Sequence, residues 1–287
     1  MCIRDSDWDD AGQVDVVSVE LGYGLIPLIE EERHGRLLQR AKGIRKKMSG
    51  ELGFLLPTIR IRDNLDIPPH QYQLVVNGST RGRGDIELGK FLAINPGSVL
   101  ETIPGTEIKE PAFGLDAVWI NANDKEYAQA VGYTVVDTST VIATHLNTVL
   151  RDNAEELLTF EITQQLIDRI EETSPKLIEE LIPDSLSISV IMTVLQNLLS
   201  EGVPIKDMRS ILETLSEVAP YAKAPEAITS YVRTKLRRLI VQQLCDPLET
   251  LEVITLEPGL EQMLTDIVKT AASIEEVTLE PNLAQTL

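Results

Sequence analysis

The chain has 287 residues, of which 43% are hydrophobic and 25% charged, and its formal net charge is −19. That length suffices for two or more domains, and the acidic balance excludes nucleic acid as an expected partner, because phosphate binding needs a basic surface. The two cysteines, Cys2 and Cys245, lie far apart, and the absence of a CxxC pair leaves a zinc site or a disulfide framework with little support.

The first half of the chain alternates predicted strands and helices. Apolar and β-branched runs bounded by turn residues predict strands at 15–23, 58–62, 71–76, within 80–95, at 118–120 and at 133–136. Apolar residues at helical spacing predict helices at 30–48, about 124–131 and 138–158. Gly50 is expected to end the first helix, and Asn123 or Asp124 to cap the second. Asn77-Gly78 predicts a hairpin turn, and residues 96–112, rich in Pro, Gly and Thr, predict a loop.

After about residue 158 the strand signals give way to helical ones. Apolar stripes in 188–202, 205–220 and 228–240 predict a compact helical subdomain. Residues 252–256 then predict a strand, followed by a helix from about 258 and a second possible strand at 275–280. One strand and one helix cannot bury a core alone, so this terminal unit either packs on its neighbours or belongs to a longer natural chain.

Residues with catalytic chemistry form no recognisable constellation. The three histidines, His34, His70 and His145, fit neither a catalytic triad nor an HExxH motif. No GxxxxGK[ST] or strand-linked GxGxxG occurs, so the sequence predicts no cofactor. His145, on a predicted helix, is interpreted as a structural or surface residue, and the tripeptide Arg83-Gly84-Asp85 as a chance match.

The aromatic residues Phe113 and Trp119 stand close together in EPAFGLDAVWI (110–120), although only 4% of the chain is aromatic. A core interpretation and a binding-site interpretation are both open for this pair. Composition alone favours the core for both side chains, because large apolar residues are usually buried.

Several long motifs occur in a fixed order along the chain. They are IRIRDNLDIPPHQYQLVVNG (59–78), LAINPG (92–97), EPAFGLDAVWI (110–120), GYTVVD (132–137), STVIATHL (139–146), VLQNLLSEGVPIKDMRSILETL (194–215) and VAPYAKAPE (218–226). Together they resemble the cytoplasmic domain of the export-gate family of type III secretion. Flagellar members are the closer match, and members from virulence injectisomes are near relatives. The resemblance covers about residues 15 to 265.

The resemblance implies a mixed α/β, multi-subdomain fold. Its expected parts are a first α/β subdomain at 15–88 and 138–157, a small α/β insert at 89–137, a helical subdomain at 158–237 and a partial α/β carboxyl-terminal subdomain at 238–287. Residues 1–14 do not join the pattern that follows and are set aside as an artefact or a linker remnant. The transmembrane part of the family is missing from the sequence, which is therefore expected to be a fragment.

The resemblance also implies a binding site. In the family, a hydrophobic dimple beside the insert binds export chaperones with their substrates, and its positions correspond to Ile94, Pro96, Glu110, Phe113 and Thr144. Glu110 stands where the family often has Asp, so the charge is kept on a longer side chain. Under this interpretation Phe113 belongs to the site, whereas Trp119 stays in the core.

The function implied by the resemblance is a non-enzymatic docking platform at the cytoplasmic face of the bacterial inner membrane. Its expected partners are flagellar export chaperones with bound substrates, other export-apparatus components including the export ATPase complex, and further copies in a nine-membered ring. Two alternatives stay open: a virulence injectisome homologue with other clients, and an acidic α/β enzyme with an unrecognised active site.

Overall fold

The computed structural model describes residues 15–29, 36–182, 185–245, 250–251 and 253–270. By the contacts between its residues the chain divides into two units, Met1–Arg237 and Arg238–Leu287. The described residues form helices and two small sheets, so the predicted mixed α/β, multi-subdomain fold is confirmed.

The first sheet is built from the first four strands of the described residues. It contains β1 (Val17–Leu21), β2 (Ile59–Asp63), β3 (Gln71–Val76) and β4 (Ser79–Asp85), in the order β2-β1-β3-β4. β1 is parallel to β2 and antiparallel to β3, which in turn is antiparallel to β4. Asn77 and Gly78 have φ angles of 48° and 75°, the conformation of a two-residue hairpin turn, as the sequence predicted.

Helix α1 (Arg36–Leu52) corresponds to the helix predicted at 30–48, whose first residues, 30–35, lie outside the described residues. The prediction that Gly50 ends it is wrong. The helix continues to Leu52, and Gly53, at φ 98°, provides the left-handed turn. A Cβ atom on Gly53 would lie 2.5 Å from the amide nitrogen of Lys206. The helix therefore ends where Ile205 and Lys206, far along the chain, pack against it. The local sequence does not reveal such a contact.

The second sheet contains β5 (Phe91–Ile94), β6 (Thr106–Lys109), β7 (Asp116–Ile120) and β8 (Thr134–Asp137), in the order β6-β7-β5-β8. All neighbouring strands are antiparallel. β5 and β6 flank β7 and run in the same direction, so both end at the edge where β7 begins. The prediction that 96–112 is a loop throughout is wrong, because β6 lies within it. Its four residues stand between Gly105 and Pro111 and are too few to show a strand pattern.

One face of the second sheet is covered by helix α2 (Lys125–Ala130). The core between them contains Ala93, Ile103, Ile120, Ala128, Val131 and Tyr133. Asp124 is the N-cap residue, as one of the two alternatives predicted, but its side chain accepts no hydrogen bond from the helix. A short 3-10 turn at Ala122–Asp124 leads into the helix instead. Gly132, at φ 102°, follows the helix, as predicted.

Helix α3 (Thr138–Asp152) links the two sheets, since it packs against α1 and β4 as well as β5 and β8. The Asp137 carboxylate caps it by accepting a 2.7 Å hydrogen bond from the Thr140 amide. The helix ends six residues before the predicted position 158. The Asn153 side-chain amide donates a 2.7 Å hydrogen bond to the Val149 carbonyl and so caps the last turn.

The helical region follows as predicted. It contains α4 (Phe160–Glu171), α5 (Pro175–Leu181), α6 (Ile188–Ser200), α7 (Met208–Val218) and α8 (Pro225–Lys235). The apolar stripes of the sequence are buried here, among them Ile191, Leu195, Leu198, Ile211 and Leu215. Thr159, Ser187 and Asp207 cap three of these helices by accepting a hydrogen bond from a backbone amide of the first turn.

The second unit contains all but the first residue of the short helix α9 (Arg237–Leu244), and α10 (Pro258–Thr270). α10 confirms the helix predicted from about 258. The strand predicted at 252–256 is wrong for the described residues 253–256, which form no strand, and Ile254 is fully exposed. Such a strand would have no described partner to pair with. The strand predicted at 275–280 lies outside the described residues. The subdomain boundaries proposed from the sequence stay a prediction.

Candidate docking site

The turn between β6 and β7 is shaped by Glu110. Its amide donates to the carbonyl of Leu115 at 2.8 Å, and its carbonyl accepts from the amide of Gly114 at 2.9 Å. Its carboxylate, in a residue only 2% exposed, accepts hydrogen bonds from the amides of Ala112 at 2.9 Å and Phe113 at 2.8 Å. Both carboxylate oxygens are therefore used within the turn, so Glu110 positions the backbone rather than presenting a free charge to a partner.

The Phe113 side chain points away from the protein and is the apolar group that this turn presents. The residue is 66% exposed, and Leu115, two positions later, is 42% exposed. Trp119, by contrast, is 2% exposed on β7, so the core interpretation of Trp119 is confirmed. Leu115 escaped the sequence analysis because it stands in an apolar run that also contains the strand. Its position in a turn beside Gly114, φ 70°, is the signal that could have singled it out.

Ile94 and Pro96 lie at the same edge of the second sheet as this turn. Ile94 ends β5 and pairs with Ala117 of β7, and the amide of Asn95 donates to the Asp116 carbonyl at 2.8 Å. The Asn95 side chain accepts a 2.7 Å hydrogen bond from the Gly97 amide, which folds a tight turn that leaves Pro96 exposed. Because β5 and β6 end at one edge, the two turns that follow them are neighbours across the start of β7.

Thr144 is half-buried on α3, next to His145. The Tyr72 hydroxyl and Nδ1 of His145 are hydrogen-bonded at 2.8 Å, and the two rings meet edge to face with centroids 5.8 Å apart. Burial lowers the pKa of His145, and the negative charge of Glu110 opposes this shift. Burial, then Glu110 and Asp85, raise the pKa of Tyr72. The charge of the turn thus reaches the middle of α3, one residue from Thr144.

Two glycines of β4 make room for the Tyr72–His145 pair. A Cβ atom on Gly82 would lie 2.6 Å from His145 Nε2, and one on Gly84 would lie 2.8 Å from the Tyr72 hydroxyl. The stretch Arg81–Asp85 therefore needs its glycines for close packing. Sequence reasoning missed this function and treated the tripeptide at 83–85 as a chance match.

The described residues contain neither a cluster of metal-binding side chains nor a membrane-spanning helix. In those parts of the chain no group of three or more His, Cys, Asp or Glu side chains is arranged to hold a metal. Nor does any helix there combine the length and the apolar character that crossing a membrane requires.

The model of the FHIPEP family matches residues 4–287. The chain belongs to the FHIPEP family. The resemblance to flagellar export-gate proteins found in the sequence motifs is thereby confirmed. The match begins within the segment 1–14 that was set aside in the sequence analysis.

Flagellar proteins are among the similar relatives. The chain is 45% identical to the flagellar biosynthesis protein FlhA of Proteus mirabilis over 99% of this chain and 40% of that protein. It is 44% identical to FlhA of Escherichia coli strain K12, with coverages of 99% and 41%, and 36% identical to FlhA of Bacillus subtilis strain 168, with coverages of 96% and 40%. The chain thus spans about 40% of the length of these relatives.

Solved structures of type III secretion proteins share the fold of this family member. The structure of the Chlamydia pneumoniae CdsV protein matches with a TM-score of 0.79 at 24% identity, covering 98% of this chain and 82% of the chain in that structure. The nonameric EscV cytosolic domain from the type III secretion system matches with a TM-score of 0.67 at 21% identity, with coverages of 94% and 78%. At these sequence identities the similarity shows a shared fold.

Proposed function

We propose that this chain is a docking platform of the flagellar type III export gate. It binds export chaperones that carry their substrates and orders their delivery to the membrane gate. The proposal is supported by membership of the FHIPEP family, by identities of 36–45% to FlhA proteins, and by an exposed apolar turn at the positions that the family resemblance assigns to binding.

The observation that carries the proposal is the exposed ring of Phe113 on a turn fixed by Glu110. An apolar anchor that enters a pocket of a partner supplies much of the binding free energy of an interface. Because hydrogen bonds already hold the turn in one conformation, docking costs little further backbone entropy. A turn with these two properties suits reversible binding of a protein partner.

The other predicted residues have distinct functions in this proposal. Ile94, Pro96 and Leu115 extend the apolar surface around Phe113, and Thr144 borders it from α3. Glu110 binds no partner directly but keeps Phe113 exposed. In this proposal, the parts of the protein around this apolar surface move apart and together, and this movement exposes or covers the surface and so regulates partner access.

The proposal places the platform in a larger assembly. The full-length protein forms a nine-membered ring at the cytoplasmic face of the bacterial inner membrane, and the export ATPase complex is among its partners. The nonameric EscV domain and the complex of Chlamydia pneumoniae CdsV with CdsO, both similar in fold to this chain, support an oligomeric platform with export-apparatus partners. Its action is binding, without a chemical reaction.

Calorimetric titration with purified flagellar export chaperones tests the proposal. Each chaperone is added alone and with its bound client, and the Phe113→Ala variant is compared with Phe160→Ala. Phe160 is the matched control, because it is another exposed phenylalanine but lies on α4. We expect weaker binding for Phe113→Ala only. Equal affinities of both variants for every chaperone–client complex would contradict the proposal.

The virulence alternative is decided by the same titration. Injectisome chaperones with their clients replace the flagellar ones, under otherwise identical conditions. Preferential binding of the injectisome complexes would assign the chain to the virulence branch. Identities of 36–45% to flagellar proteins, against 21–24% to CdsV and EscV, favour the flagellar assignment.

A further inference from the structure

A groove of about 420 Å³ lies between the end of the first sheet and the edge of the second. Trp119 and Ile108 contribute to its apolar lining, and Ile86 and Leu88, which follow β4, line it from the other side. The groove flanks β6 along its length, whereas the turn that presents Phe113 comes after the end of that strand. The groove is therefore a different surface from the proposed chaperone site.

β6 is an edge strand whose outer side is open in the described part of the chain. The amide of Glu110 donates to Leu115 across the β6–β7 pair, and the amide of Asn95 donates to Asp116 across the β5–β7 pair. Residues along an antiparallel strand alternate between its two sides. This register turns the backbone of Thr106 and Ile108 towards β7, and the amides and carbonyls of Glu107 and Lys109 towards the open side.

An open strand edge beside an apolar groove is the arrangement that accepts an additional strand from a partner. Side chains of an added strand alternate between the two faces of the sheet. On one face they would enter the groove over Ile108 and Trp119, and on the other they would pass along Glu107. The geometry requires an extended segment with apolar residues at every second position.

The charges around the groove determine which side chains the added strand needs at the positions between its apolar residues. Asp85 and Glu107 line the groove, are exposed, and have no ion-pair partner among the described residues. Glu87 is already paired with Lys90 at 2.5 Å, and the nearby Lys109 is neutralised by Asp116 at 2.7 Å. The rim thus has an excess of negative charge, which is complementary to lysine and arginine side chains.

The ends of this chain do not have that chemistry. Residues 1–14 contain four aspartates and one arginine, and residues 271–287 contain three glutamates and no lysine or arginine. Either segment would be repelled by the carboxylates of the rim. Neither of these two segments supplies a strand that is complementary to the rim.

We propose that the edge of β6 and the adjoining groove bind an extended basic segment of a partner protein, in which apolar residues alternate with lysine or arginine. The segment adds as a strand to β6, with main-chain hydrogen bonds to Glu107 and Lys109. Its apolar side chains enter the groove over Ile108. Its cations pair with Glu107 on β6 and with Asp85 on the opposite side of the groove.

A fluorescein-labelled peptide of alternating lysine and valine, titrated into the 287-residue chain and followed by anisotropy, tests this inference. We expect saturable binding that weakens as salt is added, and shifts of the backbone amide signals of Glu107 and Lys109 in NMR spectra. A peptide of alternating glutamate and valine should not bind. A lysine–valine peptide with proline at its centre should bind more weakly, since proline lacks the amide that pairs with a strand edge.

Protein variants locate the binding. The Asp85→Asn, Glu107→Lys double variant should weaken binding about tenfold, as the loss of attraction between charges at an interface does. Glu217→Lys, a charge reversal at an exposed position of α7, and Phe113→Ala should bind as the parent chain does. The inference is overturned by an absence of binding, by equal binding of the acidic peptide, or by an unchanged affinity of the double variant. Loss of binding in Phe113→Ala would overturn the separation of the two sites.

Discussion

The amide of Phe113 donates a 2.8 Å hydrogen bond to the carboxylate of Glu110, so the most buried charge of the turn holds its most exposed aromatic residue. A carboxylate is rarely buried unless its oxygens are paired. Here the two partners are backbone amides three and two residues further along the chain. The exposure of the ring and the burial of the acid are consequently two results of one local structure.

Glu110→Gln should loosen this turn. A side-chain amide has one acceptor oxygen, so either the Ala112 or the Phe113 amide would face an NH₂ group instead of an acceptor. An unsatisfied buried donor costs about 1–3 kcal/mol. We expect faster amide hydrogen exchange at 112–114 and weaker chaperone binding, measured by NMR exchange and calorimetry.

The control for that experiment is Glu217→Gln, the same substitution at an exposed position of α7. It should leave exchange in the turn and chaperone binding as they are. Unchanged exchange at 112–114 in Glu110→Gln would show that the carboxylate does not determine the conformation of the turn.

Stability should depend on pH through His145. Burial lowers its pKa below the ordinary value of 6.5, so the unfolded chain takes up a proton more readily than the native one. The stabilisation is fully present above pH 6.5 and is lost as the pH falls through the lowered native pKa. One such group changes the free energy of unfolding by at most about 1.4 kcal/mol per pH unit.

Urea unfolding at several pH values between about 7.5 and 5.5 measures this dependence around the ordinary pKa of histidine. His145→Gln should reduce the slope, whereas His70→Gln, at an exposed histidine, should follow the parent chain. Identical slopes for the parent chain and His145→Gln would exclude His145 as the source of the dependence.

Gly82→Ala should destabilise the fold by about 1–3 kcal/mol, as overpacking of a closed site does. The new methyl group would lie 2.6 Å from His145 Nε2 and 3.2 Å from Val149 Cγ2. Combining it with His145→Ala should cost less than the two single losses added together, because the clashing ring is gone. Thermal unfolding of the four proteins measures this coupling.

Gly43→Ala is the matched control for that substitution. Gly43 lies inside α1 with open space around its Cβ position. Alanine is favoured over glycine inside a helix by about 0.5–1 kcal/mol, so this variant should be more stable than the parent chain. Equal destabilisation by both substitutions would remove the steric explanation for Gly82.

Features of the fold that depend on adjacent residues were predictable from the sequence. The Asn77-Gly78 turn follows from the backbone freedom of two residues, and the buried stripes of α6 and α7 follow from helical periodicity. β6 was missed because a four-residue edge strand is stabilised by its pairing with β7 and by little in its own sequence.

The candidate site was predictable only in part for the same reason. The motifs indicated which positions to consider, and Phe113 is exposed, while the assignment of these positions to binding stays a prediction. The burial of Glu110 depends on how its own turn folds, and glutamate is ordinarily a surface residue. The packing of Gly82 against His145 depends on a contact between residues far apart in sequence, although two glycines in one strand are a signal of close approach.

Self-association of the 287-residue chain should increase with salt. At a formal net charge of −19, copies repel one another at low ionic strength, and salt screens the repulsion. Sedimentation velocity at micromolar concentration should show mainly monomer at low salt and more oligomer at about 0.5 M, where the screening length is a few ångströms. A stable nine-membered ring at low salt would contradict this expectation.

The last prediction separates binding from folding within EPAFGLDAVWI. Truncating an interface anchor costs about 2–4 kcal/mol of binding free energy, and truncating a core aromatic residue costs about 3–5 kcal/mol of folding free energy. Phe113→Ala should therefore lower the affinity for chaperone–client complexes at least tenfold, since about 1.4 kcal/mol of binding free energy corresponds to a tenfold change in affinity. Its melting temperature should fall only slightly. Trp119→Ala should lower the melting temperature instead, because the residue is 2% exposed.

Thr144→Met adds a test of the same surface from α3. If Thr144 borders the docking surface as proposed, the longer methionine side chain would obstruct a partner there. Binding should then fall while the helix, which tolerates methionine well, stays folded. Two measurements are made on the same preparations of Phe113→Ala, Trp119→Ala and Thr144→Met. Circular dichroism follows thermal unfolding, and calorimetric titration measures binding. If Phe113→Ala unfolds the chain and its folded fraction still binds with the parent affinity, Phe113 contributes to folding and not to binding, and the docking surface lies elsewhere.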